Sequence, residues 1–448
     1  MLFHSYHFLL FLPVVVLIYR WLQPGARVLW LAAASCYFYA QLIPAYLLVM
    51  FLMVAIDYSA GLWMAASQGL LRRLGMLFSL VGNLALLGVF KYWDFVGQNL
   101  APLGVDWPPF GWPLPVGLSF HTFQSLAYTF EVYYGRYAAE RNPLRFLAYV
   151  LFFPQLVAGP IERPHNLLSQ LHKTQLASWE RIGSGLRLML LGYLKKVVVA
   201  DTLAPLVDRV YVQPGEQLGP ALALATLYFA FQLYCDFSGY TDMALGCARV
   251  LGFELCENFR RPFLATSMRD FWRRWHISLG SWFRDYVYLP LRPRSGLVVA
   301  ALLTFVLSGL WHGPHWKFVL WGLYHGFLVS IDGRLPLALK RGWLGRGLMM
   351  ILLLLSMPLF RAGSLGDALY VLTNLTAAGA DTLPLWPVLL IVAVYGLEYL
   401  QEQGRRLATP LGAEMVCVYS LIIVALVTYS ELVHTGAQGL RQFVYFQF

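Results

Sequence analysis

The sequence predicts an all-α integral membrane fold, with about 10–12 transmembrane helices plus re-entrant and interfacial pieces. Three observations carry this reading. Of 448 residues, 59% are hydrophobic and 12% charged, where a soluble domain carries about 25% charged residues. The mean hydropathy is +0.59. The charge is missing from long blocks and crowded into short connections, and about 20 apolar residues span a bilayer. Strands of a membrane barrel would alternate apolar and polar residues in short segments, and that pattern is absent.

Taken in order, apolar blocks occur near 8–22, 28–42, 45–66, 74–90 and 114–133. They continue near 145–159, 185–205, 219–250, 297–312 and 317–331, then 347–360, 384–400 and 412–432. The opening MLFHSYHFLLFLP has no basic leader, and Arg20 and Arg27 follow the apolar run. A retained first helix with its N-terminus outside is expected. Arg72/Arg73, Arg136–Arg145, the Arg260–Arg294 stretch, Arg334–Arg346 and Arg405/Arg406 are expected on the cytoplasmic side. The less basic connections 91–113 and 361–383, and the closing FVYFQF, are expected outside. The stretch 145–250 does not resolve under this rule. One membrane domain is expected to fill 1–448, with no soluble domain or internal repeat.

The net charge of +10 falls in loops, where orientation in a membrane accounts for it, so no nucleic-acid partner is expected. The five cysteines form no CxxC pair and read as small core residues.

Four stretches interrupt the apolar pattern. In SGLWHGPHWKFVLWGLYHG, Ser308 to Gly326, His312, His315 and His325 sit among aromatic residues. Burying an ionisable group in a membrane is costly, so such groups tend to line working cavities. A neutral imidazole there is a competent general base. Gly313 and Pro314 predict a chain break directly after His312. No HExxH pattern or acidic partner accompanies the histidines, and no metal is expected.

The arginine-rich stretch Arg260–Arg294 is the second. If 269–286 is one helix, Arg269, Arg273, His276, Gly280 and Arg284 share a stripe. Trp272, Trp275 and Trp282 belong to the adjacent stripe. This reads as an interfacial amphipathic helix or as an anion-binding mouth for a phosphate-bearing donor, and His276 favours the mouth. Third is FQLYCDFSGYTDMALG, where Asp236 and Asp242 flank Ser238, Gly239 and Tyr240. The carboxylates either orient a His or an Arg, or stabilise a helix break at Ser238–Gly239. Fourth is FFPQLVAGPIERP, 152–164, whose prolines predict a re-entrant turn of architectural value.

Together PQLVAGPIERP, YCDFSGYTDMALG, ENFRRPF, FWRRWHISLGSWFRDYVYLPL and GLWHGPHWKFVLWGLYHG resemble the membrane-bound O-acyltransferase (MBOAT) superfamily. The resemblance is nearest to its bacterial alginate O-acetyltransferase branch and spans nearly the whole chain, with a core near 114–331. It implies a horseshoe of helices around a central tunnel. It implies a multi-pass protein of the bacterial inner membrane, in which the charge pattern puts both termini on the periplasmic side. It places the family's histidine at His312, in LWHG, and a second at His276, in RRWH. It implies no bound cofactor. The donor would be acetyl-CoA or an acyl-carrier thioester, held by Arg269, Arg273, Arg284, Trp275, Trp311, Asp236, Ser238 and Tyr240. The acceptor would be an exopolysaccharide, reached through a periplasmic SGNH-type acetyltransferase or another polymer-modification protein. Two alternatives stand beside this. One is another cargo: D-alanine for teichoic acid, or an acyl group for lipid or peptidoglycan. The other is a transporter or flippase, since intramembrane His, Asp and Arg also suit a transport path.

Overall fold

The computed structural model describes residues 1–41, 43–157, 159–379, 382–403, 420–426 and 428–429. The expected block at 412–432 lies largely outside the described residues, and Arg405, Arg406 and FVYFQF lie wholly outside them. Among the described residues every regular element is helical and no strand occurs. Five helical stretches among the described residues are long and apolar enough to cross a membrane: Tyr46–Ala66, Gly69–Leu103, Gly219–Leu251, Ile277–His312 and Gly342–Arg361. Other apolar blocks fold as shorter helices, Tyr6–Trp21 among them. The described chain forms two compact units, each drawn from separated stretches. The first holds Met1–Gly192 and Tyr240–Cys256; the second holds Tyr193–Gly239 and the described part of Glu257–Pro410.

In the first unit, α1 (Tyr6–Trp21), α2 (Pro24–Ala40), α3 (Tyr46–Ala66) and α4 (Gly69–Leu87) come first. Then follow α5 (Trp93–Leu100), α6 (Leu118–Tyr133), α7 (Pro143–Val150), α8 (Ser169–Leu171) and α9 (Trp179–Tyr193). Ser5 caps α1 by accepting the Phe8 N–H, and Pro24 opens α2 where its missing donor costs nothing. Asp57 of α3 is fully buried. It accepts hydrogen bonds from Ser79 and Asn83 of α4 and from Ser125 and Thr129 of α6. Four neutral donors offset the cost of that carboxylate and tie three helices together. Helix α7 stops at Val150, and helical turns resume only at Pro164. Between them Glu162 accepts the Cys256 N–H at 2.6 Å and the Asn166 amide at 2.7 Å.

The second unit contains α10 (Asp201–Tyr211), most of α11 (Gly219–Leu251), α12 (Met268–Arg274) and α13 (Ile277–Phe283). It continues with α14 (Leu289–His312), α15 (Trp316–Asp332), α16 (Gly342–Arg361), α17 (Leu365–Asn374) and α18 (Val388–Glu402). Helix α11 runs for 33 residues straight through CDFSGYTD. The expected break at Ser238–Gly239 is therefore corrected: one glycine in a long, mostly buried helix costs only about 1 kcal/mol, and packing outweighs it.

The single helix expected over 269–286 is also corrected. His276 adopts a left-handed conformation, φ 44°, ψ 55°, and separates α12 from α13. The break is held from outside. The Arg260 N–H donates to the Arg274 carbonyl at 2.9 Å, and the Ile277 N–H donates to the Asn258 carbonyl at 2.9 Å. Asn258 Oδ1 accepts the Ser278 backbone N–H at 3.3 Å and the Ser278 hydroxyl at 2.7 Å, so a distant side chain serves the free N-terminus of α13.

Helices α14 and α15 form a tight hairpin. As the Gly313–Pro314 pair predicts, α14 ends at His312 and α15 starts at Trp316. A Cβ on Gly309 would lie 2.0 Å from the Phe318 carbonyl oxygen, and one on Gly322 would lie 2.3 Å from that of Phe305. Only small residues let two membrane helices approach this closely.

Candidate active site

A cavity of about 780 Å³ opens within the second unit. Its wall is built from α12, α13, α14 and the end of α15. Arg269, Arg273, Arg284, Arg292 and Arg334 line it and are exposed. His276 and His312 line it and are buried, 1% and 5% exposed. The cavity thus runs from a cationic rim to an imidazole-bearing interior. Trp272, Trp275, Leu279, Phe283, Ala301 and Phe305 supply apolar wall, with Thr304 and Ser308 on α14 between them.

Every member of the predicted stripe reaches this wall: Arg269, Arg273, His276, Gly280 and Arg284. They do so although the helix is broken, because the left-handed turn at His276 redirects α13 without removing that side chain from the cavity. Trp275 also lines it. Trp311 is not among the lining residues; its ring packs on His276 at 5.9 Å and on His312 at 5.0 Å between centroids. Phe237 stacks edge-on against His276 at 4.7 Å.

The rim is electrostatically uneven. Arg269 donates to the Val329 carbonyl at 2.9 Å, and Arg284 pairs with Asp285 at 2.8 Å. Arg273, Arg292 and Arg334 have no ion pair among the described residues. Their neighbour Arg274 turns away, pairing with Asp270 at 3.0 Å and Glu402 at 3.1 Å. Unpaired guanidinium groups around a cavity mouth suit a phosphate-bearing ligand, which they grip with two parallel bonds.

Asp236, Ser238 and Tyr240 do not line this cavity. Asp236 accepts an ion pair from Lys196 at 2.7 Å, and Lys196 also pairs with Asp201 at 2.8 Å, all three side chains buried. Ser238 is buried in α11. The Tyr240 hydroxyl bonds to His4 Nδ1 at 3.0 Å in the first unit. Nor do the three histidines of the α14–α15 hairpin share a site. His315 Nδ1 caps α15 by accepting the Lys317 N–H at 3.2 Å. His325 is fully buried among Trp321, Trp272 and Tyr324, with centroids 4.6, 5.1 and 5.3 Å away.

Residue-level reading of the sequence does not single out Arg292 within the Arg260–Arg294 stretch that it reads as a mouth, and it counts Arg334 only as loop charge. Lys196 was missed as well. The one available signal, a lysine within the apolar run GYLKKVVVADTL, names no partner.

The chain matches the membrane-bound O-acyltransferase family over residues 138–334. That match holds α12, α13, α14 and α15. The chain is 32% identical to a probable alginate O-acetylase of Azotobacter vinelandii, covering 100% of both chains. It is 34% identical to one of Pseudomonas aeruginosa, over 92% of this chain and 85% of the relative. It is also 34% identical to a peptidoglycan O-acetyltransferase of Helicobacter pylori, over 72% of this chain and 68% of that protein.

Proposed function

This chain belongs to the membrane-bound O-acyltransferase family, and from that premise we propose that it moves acetyl groups from a cytoplasmic thioester toward an exopolysaccharide. It is a membrane acyltransferase. The donor, acetyl-CoA or an acyl-carrier thioester, docks its phosphate at Arg269, Arg273, Arg284, Arg292 and Arg334. The thioester arm then descends the cavity past Trp275 and His276. His312 takes the proton from the acceptor hydroxyl as its oxygen attacks the carbonyl carbon. The carbon–sulfur bond breaks, and the thiolate recovers the proton from the imidazolium. His276 positions the arm, and positioning supplies a large share of such a rate. The acceptor is a polysaccharide resembling alginate, served through a periplasmic acetyltransferase of SGNH type. The protein then sits in the inner membrane with its N-terminus on the periplasmic side.

One observation carries this reading: a buried histidine, His312, lines the same cavity as five exposed arginines. The test is His312→Ala in the producing strain. The variant is expected to insert at wild-type level, and O-acetyl on the polymer to fall about 10²–10⁴-fold, the contribution of a general base. Polymer acetylated at the wild-type level would remove His312 from the mechanism.

A further inference from the structure

His312 lines a second, much smaller chamber. Trp272, Trp275 and His312 belong to the walls of both. The rest of the small chamber is apolar or aromatic: Ala230 and Leu233 from α11, Trp321 from α15, and Leu353, Met357 and Phe360 from α16 bound it with others of that kind. Its room for water-sized groups is about 20 Å³. A single water needs about 10–15 Å³ on that measure, so the chamber holds one small group. Among the described residues His312 is its only titratable wall residue, and the indole N–H groups of Trp272 and Trp321 are buried donors, so it has donors for one oxygen but little to accept a sugar hydroxyl's own proton, and a hydroxyl group entering it loses hydration. A methyl group pays nothing of the kind.

A second observation points the same way. The indole N–H groups of Trp272 and Trp321 are buried and have no acceptor among the described residues. Buried donors normally find one. The Trp321 and His312 ring centroids are 5.2 Å apart, and those of Trp272 and Trp321 are 5.6 Å apart. A carbonyl oxygen brought beside His312 would offer these donors an acceptor, and donors in such a place favour the charge that develops on it.

We propose that this small chamber receives the acyl group itself, and that its size restricts the group to acetyl. The proposal rests on the reading of His312 as the base in an acyl transfer. The methyl end lies against Leu353, Met357 and Phe360, and the carbonyl lies at the shared wall. A longer chain has no room, and each extra methylene costs about 10–200-fold in a pocket of fixed shape.

The experiment uses inside-out membrane vesicles from the producing strain, carrying the full chain with its partners and polymer. They receive acetyl or butyryl groups as CoA thioesters and, separately, on a phosphopantetheinylated carrier protein. Acetate and butyrate released from the polymer by alkali are then measured. Wild type is expected to favour acetyl by more than about tenfold. Met357→Ala and Leu353→Ala are expected to raise the butyryl-to-acetyl ratio by about tenfold or more. Where an alanine variant does not extract as a single gel-filtration peak, Phe360→Leu carries the same ratio test with a smaller change. An enlarged variant that still acetylates with the wild-type ratio overturns the chamber while leaving acyl transfer intact. Wild-type vesicles that transfer neither group from either donor overturn the acyl-transfer reading, and the chamber with it.

Discussion

Two regions of the second unit bury polar side chains and settle the cost differently. Around α11, Lys196, Asp201 and Asp236 satisfy one another at 2.7–2.8 Å in solid packing. Along α12–α14, His276 and His312 face a cavity, and three guanidinium groups at its rim have no ion pair among the described residues. An ionisable group in a membrane is a functional candidate by default. The contrast shows that burial alone does not make the distinction. The first region pairs its charges with each other, and the second leaves cavity-lining guanidinium groups without an ion pair among the described residues.

The largest effect that tests this contrast lies in the paired region. Lys196→Met leaves two buried carboxylates without their cation, and breaking a buried pair costs about 3–5 kcal/mol. The variant is expected to lose yield and thermal stability in detergent, with acetylation falling only as folded protein falls. A Lys196→Met protein that melts like wild type yet makes no O-acetyl would break the contrast, because the network would then serve the reaction directly.

Neighbouring arginines give a smaller and sharper comparison. Arg273 lines the cavity, whereas Arg274 is committed to Asp270 and Glu402. A charge-assisted hydrogen bond contributes about 1.5–3 kcal/mol. Arg273→Ala is therefore expected to raise the donor KM by about tenfold or more, with little change in kcat at saturating donor. Arg274→Ala removes partly exposed ion pairs worth about 0–1 kcal/mol and is expected to leave the donor KM near wild type. Initial rates against donor concentration separate the two. Equal KM shifts would mean that the rim is read by net charge rather than by direct contact.

These two regions also differ in how far they could be read from sequence. The break after His312 was legible because proline and glycine act locally. The arginine stripe was legible because helical spacing survives on both sides of the turn at His276. The turn itself was not. It depends on Asn258, which sits 20 residues before Ser278 and meets it only through the fold. Asp236 looked like a site residue for the same reason. Its partner Lys196 lies on a different element, and nothing in CDFSGYTD names it. Tyr240 likewise finds His4 across 236 residues. Motifs locate chemistry-bearing residues well, but whether such a residue faces space or a partner is a tertiary fact.

The smallest expected effect concerns the histidine that the hairpin buries most completely. His325 lies 13 positions after His312, within the same aromatic stretch, and neither of its ring nitrogens has a hydrogen-bond partner among the described residues. It lines neither cavity that His312 lines. Trp321, Trp272 and Tyr324 pack around it edge-on, and a phenylalanine ring meets the same faces without a polar atom to satisfy. His325→Phe adds a little volume, and near-isosteric swaps in a core cost less than about 1.5 kcal/mol. Thermal stability is expected to move by a few degrees in either direction, and O-acetylation to stay within about twofold of wild type, since a shift of this size reaches activity only through the amount of folded protein. Quantitative acetate release, normalised to folded protein, checks this. A fully folded His325→Phe chain that acetylates nothing would place the imidazole in the reaction, and facing a cavity would no longer separate working histidines from structural ones.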